Sequence, residues 1–470
     1  MNTIDRVFER VKDHPNKMAL WTMKSGELTF KDMWDLTKRA QALFHHHGVT
    51  INTPVLVAVP PSVELYAGLM ALMGLGAKIL FIEPWLKLDR IDHVIKTVQP
   101  AIYYTSFLGK IWGMRSKEIR KIKTWLTPSM FKNELGLEMI IESLPPEQPV
   151  FVAFSSGTTG TPKGAIRTGQ YLSDIQEILM KSHPYEYTSP DLVVFPNVVL
   201  LNLGNGRGAV CAPHGWKQND LKKVVTACEK YKPETVSAGP AFFQEVFKLK
   251  NRQPLQCLKE IIVGGALTDC HLFEKIFDQF PDRKFLHIYG GSEAEPVSFG
   301  EAKLLVKQSR ERGYFQTLSL GRPIAAIKTK IENNILWVAG PNVAPEYIGN
   351  HQDNIGVKKR DEEGILWHCM GDRIAEDDQG LWYMGKQNQT QDDFLVEQKI
   401  YHVIGHSAAF LHRTPSGQLI LMGENIRTYE EKLKSEFPQI DQFINRAIKR
   451  DRRHRARIDR KASLPKKDRV

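Results

Sequence analysis

Residues 151–166 read FVAFSSGTTGTPKGAI, and their types and spacing suit the holding of a polyphosphate. The apolar run 150–154 has the character of a buried strand. Behind it come Ser155, Ser156, Gly157, Thr158, Thr159, Gly160, Thr161, Pro162, Lys163 and Gly164. Glycines open backbone angles closed to other residues, so N–H groups can converge on an anion. The hydroxyls add short donors, and Lys163 adds a mobile positive charge. This is not a Walker A motif, because no Gly-Lys is followed directly by Ser or Thr. A plain Gly/Ser/Thr surface turn is the competing reading, and the strand in front of the loop weighs against it.

Two more glycine turns follow strand-like runs: Val263-Gly264-Gly265-Ala266-Leu267 and Ile288-Tyr289-Gly290-Gly291-Ser292-Glu293-Ala294. Further on, Trp367-His368-Cys369-Met370-Gly371-Asp372 precedes Leu381-Trp382-Tyr383-Met384-Gly385-Lys386. Taken alone, the first turn is an ordinary strand-to-helix connection, and a Glu in a glycine turn is usually solvated.

The elements that must carry these residues read as α/β. Residues 4–11 and 29–47 are amphipathic helices, and 55–59 and 78–81 are buried strands with a helix at 63–74 between them. After the loop, strands at 192–195, 235–238, 260–263 and 285–289 alternate with helices at 218–231 and 241–249. That alternation predicts mostly parallel sheets layered with helices. Residues 324–383 form a small antiparallel β unit, which 320–323 opens and 335–341 continues, both as scaffold. The polar stretch 385–393 is a linker. The expected division is a large domain over 1–385 and a small, mobile α+β C-terminal domain over 386–470. His45, His46 and His47 point different ways on a helix and read as its solvated end. Residues 106–126 form a basic amphipathic helix with two tryptophans. It either packs on the core with its charges in water or lies on an anionic membrane or acyl entrance.

At 470 residues, 42% hydrophobic and 25% charged, the composition is that of a multidomain soluble enzyme. Five cysteines without a CxxC pair argue against a disulfide framework or zinc site and for a reducing compartment. The first residues lack a signal peptide's apolar core, and no run is long enough to span a membrane, so a cytoplasmic location is expected. The net charge of +11 is concentrated in residues 446–470, where twelve Lys/Arg face three Asp. That tail reads as solvated as readily as it reads as a lipid contact; no nucleic-acid partner is expected.

Together, in this order, the loop at 155–164, the turns at 263–267 and 288–294, and the Asp372 and Lys386 segments resemble the adenylate-forming superfamily. That superfamily contains acyl-CoA synthetases, luciferases and nonribosomal peptide adenylation domains. The resemblance implies ATP and Mg2+. Ser155, Ser156, Gly157, Thr158, Thr159, Gly160 and Lys163 would hold the β- and γ-phosphates. Gly264, Gly265 and Ala266 would approach the adenine, and Tyr289 would stack on it beside Gly290. Ser292 would donate to phosphate, Glu293 would carry the metal, and Asp372 would accept from the ribose hydroxyls. Lys386 stands where the family usually has Arg.

The segments 288–298 and 367–372 look most like the branch of olefin-biosynthesis β-lactone synthetases, long grouped with acyl-CoA ligases. The C-terminal run Arg453-His454-Arg455-Ala456-Arg457-Ile458 agrees, with Arg457 in place of the lysine that neutralises the carboxylate and α-phosphate. The resemblance therefore implies adenylation of a carboxylic acid, fatty or 3-hydroxy fatty, with pyrophosphate release and then intramolecular β-lactone formation. Transfer to coenzyme A is the alternative, and a nucleotide-binding protein with lost catalysis is the third. Phe195, Asn197, Leu201, Leu203, Gly204, Ala238 and Gly239 fall where the family builds its acyl pocket, or are plain core. Oligomeric state is not readable.

Overall fold

The computed structural model contains two large sheets, one of 14 strands and one of six, and a small sheet of three. The structure describes residues 3–82, 88–131, 138–155, 163–182, 188–213, 217–313, 319–348, 354–387, 389–404, 409–449, 458 and 460–464. The six-stranded sheet runs Thr124–Leu126, Ile102–Thr105, Pro54–Ala58, Lys78–Phe81, Pro149–Ser155, Lys163–Thr168. Its first five strands are parallel and the last is antiparallel. Strands buried on both faces need continuous apolar runs, which is how VLV at 55–57 and ILF at 79–81 read.

The second sheet has 14 strands, and its parallel half carries Lys284–Gly291, Glu260–Val263, Thr235–Ala238, Asp191–Val193, Ala209–Cys211 and Met18–Thr22. The antiparallel strands Ala294–Glu301 and Ser319–Pro323 then lead without a break into Gly380–Lys386, Leu366–Asp377, Ile335–Ala339 and Lys328–Glu332. The expected small β unit is thus an extension of the large sheet. Gly321 makes the join: at φ +74° it lies against the Phe299 carbonyl, 2.8 Å from where a Cβ would stand.

The helix Val63–Gly74 is buried along its length except at Glu64. Its Leu65, Leu69 and Leu72 sit in the core of the first sheet, and Val63, Tyr66 and Met70 in that of the second. The helix Phe30–His46 starts at a capping box made by Thr29 and Asp32 and ends at the exposed His45–His47 run, as read from the sequence. Deep in the second sheet, Asp191 accepts from Thr235 Oγ1 at 2.6 Å, Ser237 Oγ at 3.1 Å and Asn202 Nδ2 at 3.1 Å. This 1% exposed carboxylate fixes the helix Pro196–Gly204 to two neighbouring strands.

Residues 106–126 are not one helix. They break into a helix, Phe107–Gly113, a 3-10 turn, Ile119–Lys121, and a strand, Thr124–Leu126. Strand-forming Thr124 and Trp125 pair with Ile102 and Tyr103, and the Trp125 and Tyr103 rings meet edge to face at 5.0 Å. The stretch expected as a linker is also largely structured. Its start belongs to the strand Gly380–Lys386, and its end opens the helix Gln391–Ile404, whose Phe394 packs on Tyr383 at 5.6 Å.

The C-terminal sheet is Ala409–Arg413, Leu419–Gly423, Gln442–Asn445. Arg460 grips the buried Glu397 of the helix Gln391–Ile404 with two bonds of 2.6 Å, while Ile458 and Leu464 pack beside Phe410 and Ile420. The five cysteines are free. No helix among the described residues is long and apolar enough to cross a membrane.

His287 gives the fold a pH dependence. Buried in the strand Lys284–Gly291 and edge-on to Phe273 at 5.9 Å, it loses hydration, which pulls its pKa from 6.5 down to about 4. Between those values the unfolded chain binds more protons than the folded one. Stability is therefore full above about pH 6.5 and falls toward pH 4, by about 3 kcal/mol for this ring. Urea unfolding at pH 7 and pH 4.5 checks this, with a His287→Gln variant showing a flatter profile.

Candidate functional site

All the glycine turns lie at carboxyl ends of parallel strands, where open α/β sheets bind their ligands. Ser155 ends one strand of the first sheet and pairs with Lys163 across the hairpin, so the strand pair closes the mouth of the loop. Residues 156–162, with Ser156, Gly157, Thr158, Thr159 and Gly160, lie outside the described residues, as does Arg457. Gly264, Gly265 and Ala266 follow Glu260–Val263, and Ser292 and Glu293 form the turn between Lys284–Gly291 and Ala294–Glu301. Gly265 sits at φ +76°, and a Cβ on Gly264 would stand 3.1 Å from the Ile288 carbonyl, so both positions need glycine's missing side chain.

The segment 342–348 brings the two sheets together. Its Ala344 N–H donates to the Glu293 carbonyl at 2.7 Å. Its Glu346 carbonyl accepts from the Ile166 N–H at 2.9 Å, and its Ile348 N–H reaches the Gly164 carbonyl at 2.7 Å. One extended strip thus ties the Glu293 turn of the large sheet to the Lys163 strand of the small one. In the middle of the strip stands Tyr347, whose hydroxyl donates to Glu293 Oε1 at 2.9 Å. The Lys163 ammonium lies 5.3 Å from the Tyr347 ring centre and that of Lys358 at 5.8 Å. A carboxylate and two ammonium groups therefore meet around one aromatic ring. Arg167 braces the same turn, donating to the Ser292 carbonyl at 3.0 Å.

Burial shapes the charges here. Lys358 donates to the Ala344 carbonyl, and desolvation draws its pKa down to about 8 against the pull of Glu293 and Glu346. His368, 3% exposed, is driven to about 3 by burial and by the Lys358 charge, so it stays neutral. His368 Nδ1 has no hydrogen-bond partner among the described residues.

A second cluster adjoins the first. Tyr289 Oη donates to Asp372 Oδ2 at 2.6 Å, and Lys386 forms an ion pair with the other carboxylate oxygen. The pair follows from strand register, because Asp372 stands directly opposite Lys386. Gly291 joins the clusters: a Cβ there would lie 3.4 Å from Met370 Cε and 3.5 Å from Glu293 Oε2. The Glu293 carboxylate thus lies over bare backbone and is the one hard anionic oxygen ligand that the turn offers a divalent cation; no cluster of three or more metal-ligating side chains occurs among the described residues.

The acyl-pocket candidates divide. Phe195 approaches Gly239, 3.6 Å from where its Cβ would stand, and Gly239 is itself beside the Gly264 carbonyl. Leu203, at 1% exposure, belongs to the core with Ile4 and Phe30, and Gly204 makes room for Gln176. These two are packing residues. Tyr347, Lys358 and His368 are the members of the site to which motif reading gives no role. Tyr347 comes six residues after a strand that reads as scaffold, and only the tertiary bridge marks it. Tyr347→Phe deletes one hydrogen bond to a charged group and is expected to lower kcat/KM about tenfold without unfolding the chain. Steady-state kinetics beside a thermal melt check it.

Residues 7–348 match the family model described as AMP-binding enzyme. The chain belongs to that family. It is 23% identical over 474 residues to malpinin synthetase of Mortierella alpina, covering 94% of this chain and 6% of that protein's length. It is 23% identical to the 4-coumarate–CoA ligase-like protein 3 of Arabidopsis thaliana, over 76% of this chain and 69% of that one. The fold is shared with o-succinylbenzoate CoA synthetase of Bacillus subtilis, solved with its acyl-adenylate intermediate, at TM-score 0.77, 16% identity and 96% coverage of both chains.

Proposed function

We propose that this protein activates a carboxylic acid by adenylation. The acid's oxygen attacks the α-phosphorus of ATP, an acyl-adenylate forms, and pyrophosphate leaves. The observation that carries this reading is the meeting of Lys163, Glu293 and Tyr347 from three separate elements at the strand ends. Such chemistry needs positioning and charge neutralisation rather than a nucleophilic side chain. Lys163, with Ser155 and residues 156–160, holds the β- and γ-phosphates; Ser292 adds a hydroxyl. Glu293 holds Mg2+, which neutralises phosphate charge when bound. Asp372 takes the ribose hydroxyls, held in place by Tyr289 and Lys386, and Gly264 to Ala266 with the Tyr289–Gly290 turn flank the adenine. Arg457 supplies the positive charge for the reacting carboxylate. Ile458 and Arg460, both anchored on the C-terminal unit, stand just after it in the chain, so residues 386–470 act as the domain that delivers it.

The substrate in this proposal is a fatty or 3-hydroxy fatty acid, and Phe195 and Gly239 line its approach. The motif resemblance at 288–298 and 367–372 favours closure by the acid's own 3-hydroxyl, which gives a β-lactone and AMP. The names of the relatives favour transfer to coenzyme A instead. A pyrophosphate-release screen over plain and 3-hydroxy fatty acids, with and without coenzyme A, tests both levels. Release that needs a 3-hydroxyl and ignores coenzyme A supports the lactone, and acyl-CoA product supports the ligase. ATP binding without release on any acid points to lost catalysis.

A further inference from the structure

The short helix Phe107–Gly113 turns three of its large apolar side chains outward, while Trp112 packs on the core. Phe107 is 74% and Leu108 75% exposed, with Ile111 at 48% and, just beyond the helix, Met114 at 60%. A surface helix ordinarily does the reverse. The inner face explains the inversion, because beside Trp112 it is made of Gly109 and Gly113. A Cβ at Gly109 would strike Thr105 Oγ1, and one at Gly113 would come 2.9 Å from Tyr103 Cε1. Tyr103 Oη donates to the Gly109 carbonyl at 2.9 Å, and Ser106 caps the helix by accepting from the Gly109 N–H at 3.1 Å. The helix is therefore clamped flat against the end of its strand; Trp112 alone packs back on the core, and Phe107, Leu108 and Ile111 are left facing outward. This is a held surface, and four adjacent large apolar side chains on it call for a partner.

The charges around it say which. Residues 106–126 hold six cations, Lys110, Arg115, Lys117, Arg120, Lys121 and Lys123, and one acid, Glu118. Glu118 is buried and paired with Lys121 at 2.8 Å, so the outward charge is one-signed. Exposed apolar side chains followed closely in the chain by cations match a bilayer of anionic lipid: the apolar groups enter the acyl boundary while the cations meet the headgroups. The helix leaves the carboxyl end of Ile102–Thr105, on the edge from which the phosphate loop leaves Pro149–Ser155, three strands or roughly 14 Å away. We propose that this face docks the protein on anionic phospholipid membrane, presenting the strand-end edge to the lipid. An acid partitioned in the bilayer would then reach the site without crossing water. That consequence rests on the fatty-acyl reading, whereas docking does not and is measured without ATP.

The test is sedimentation of the full chain with phosphatidylcholine vesicles, with and without phosphatidylglycerol. The protein is expected to bind the anionic vesicles, and Phe107→Ser with Leu108→Ser to weaken that binding about tenfold or more. Lys117→Glu with Lys123→Glu removes the preference for phosphatidylglycerol. All four positions are exposed, so the melting temperature should hold; Ile111→Ser is the second apolar probe should the first variant unfold. Absent binding of the parent to anionic vesicles overturns the proposal, as does binding unchanged by the apolar variants. Light scattering that shows the same variants dissolving a dimer, with vesicle binding untouched, assigns the patch to a second copy instead.

Discussion

Glu293→Gln is expected to slow acid-dependent pyrophosphate exchange about 100-fold at ordinary Mg2+ while leaving ATP bound. The amide has the shape of the carboxylate and can still accept from the Tyr347 hydroxyl, now 2.9 Å from Glu293 Oε1. The bridge formed by 342–348 also uses the Glu293 backbone, which the substitution spares. The fold should therefore survive, and only the negative charge is lost. That charge does two things in this site. In the proposed mechanism it offers a hard ligand for Mg2+, and it offsets the ammonium groups of Lys163 and Lys358 packed around Tyr347. Raising Mg2+ should recover part of the rate if the first role dominates. An unchanged rate at limiting Mg2+ would remove Glu293 from the chemistry. Measuring ATP affinity separately keeps a binding defect from being read as a catalytic one.

Much of the site is legible in the chain because its chemistry is local. Gly264, Gly265 and the Tyr289–Glu293 turn follow apolar runs, and the parallel topology puts every such turn on one edge. The strands Thr235–Ala238 and Glu260–Val263 stand where the alternation puts them. Tyr347 and Lys358 are not legible in that way. They matter because 342–348 is stitched to both sheets, a long-range pairing with no periodic signature. His368 lies inside a recognisable motif, yet its neutrality comes from burial and from Lys358, neither of which a motif contains. The stretch 106–126 misleads for a different reason. Its spacing is helical, but the two glycines that seat Phe107–Gly113 against Thr105 and Tyr103 decide which face looks outward. Composition alone shows an amphipathic pattern and not its direction.

Asp372→Ala should raise the KM for ATP at least tenfold, with a smaller change in kcat. The carboxylate is 4% exposed and already holds two partners, the Tyr289 hydroxyl at 2.6 Å and the Lys386 ammonium. Each hydrogen bond to a charged group contributes roughly 1.5–3 kcal/mol, so losing the ribose contacts alone costs about tenfold or more in binding. Alanine also leaves Lys386 facing a vacated carboxylate site, and the register that sets the two residues opposite each other gives that ammonium no easy retreat. Asp372→Asn separates these effects. It keeps an acceptor for Tyr289 but abolishes the ion pair, and it offers the ribose one acceptor oxygen where the acid has two. Its KM should fall between parent and Ala. A double variant with Lys386→Met then asks whether the ammonium matters for folding or for nucleotide. If the second change restores the melting temperature of Asp372→Ala and leaves KM high, Asp372 binds the nucleotide and Lys386 serves to hold it. If it restores both, the pair is structural and the ribose is held elsewhere.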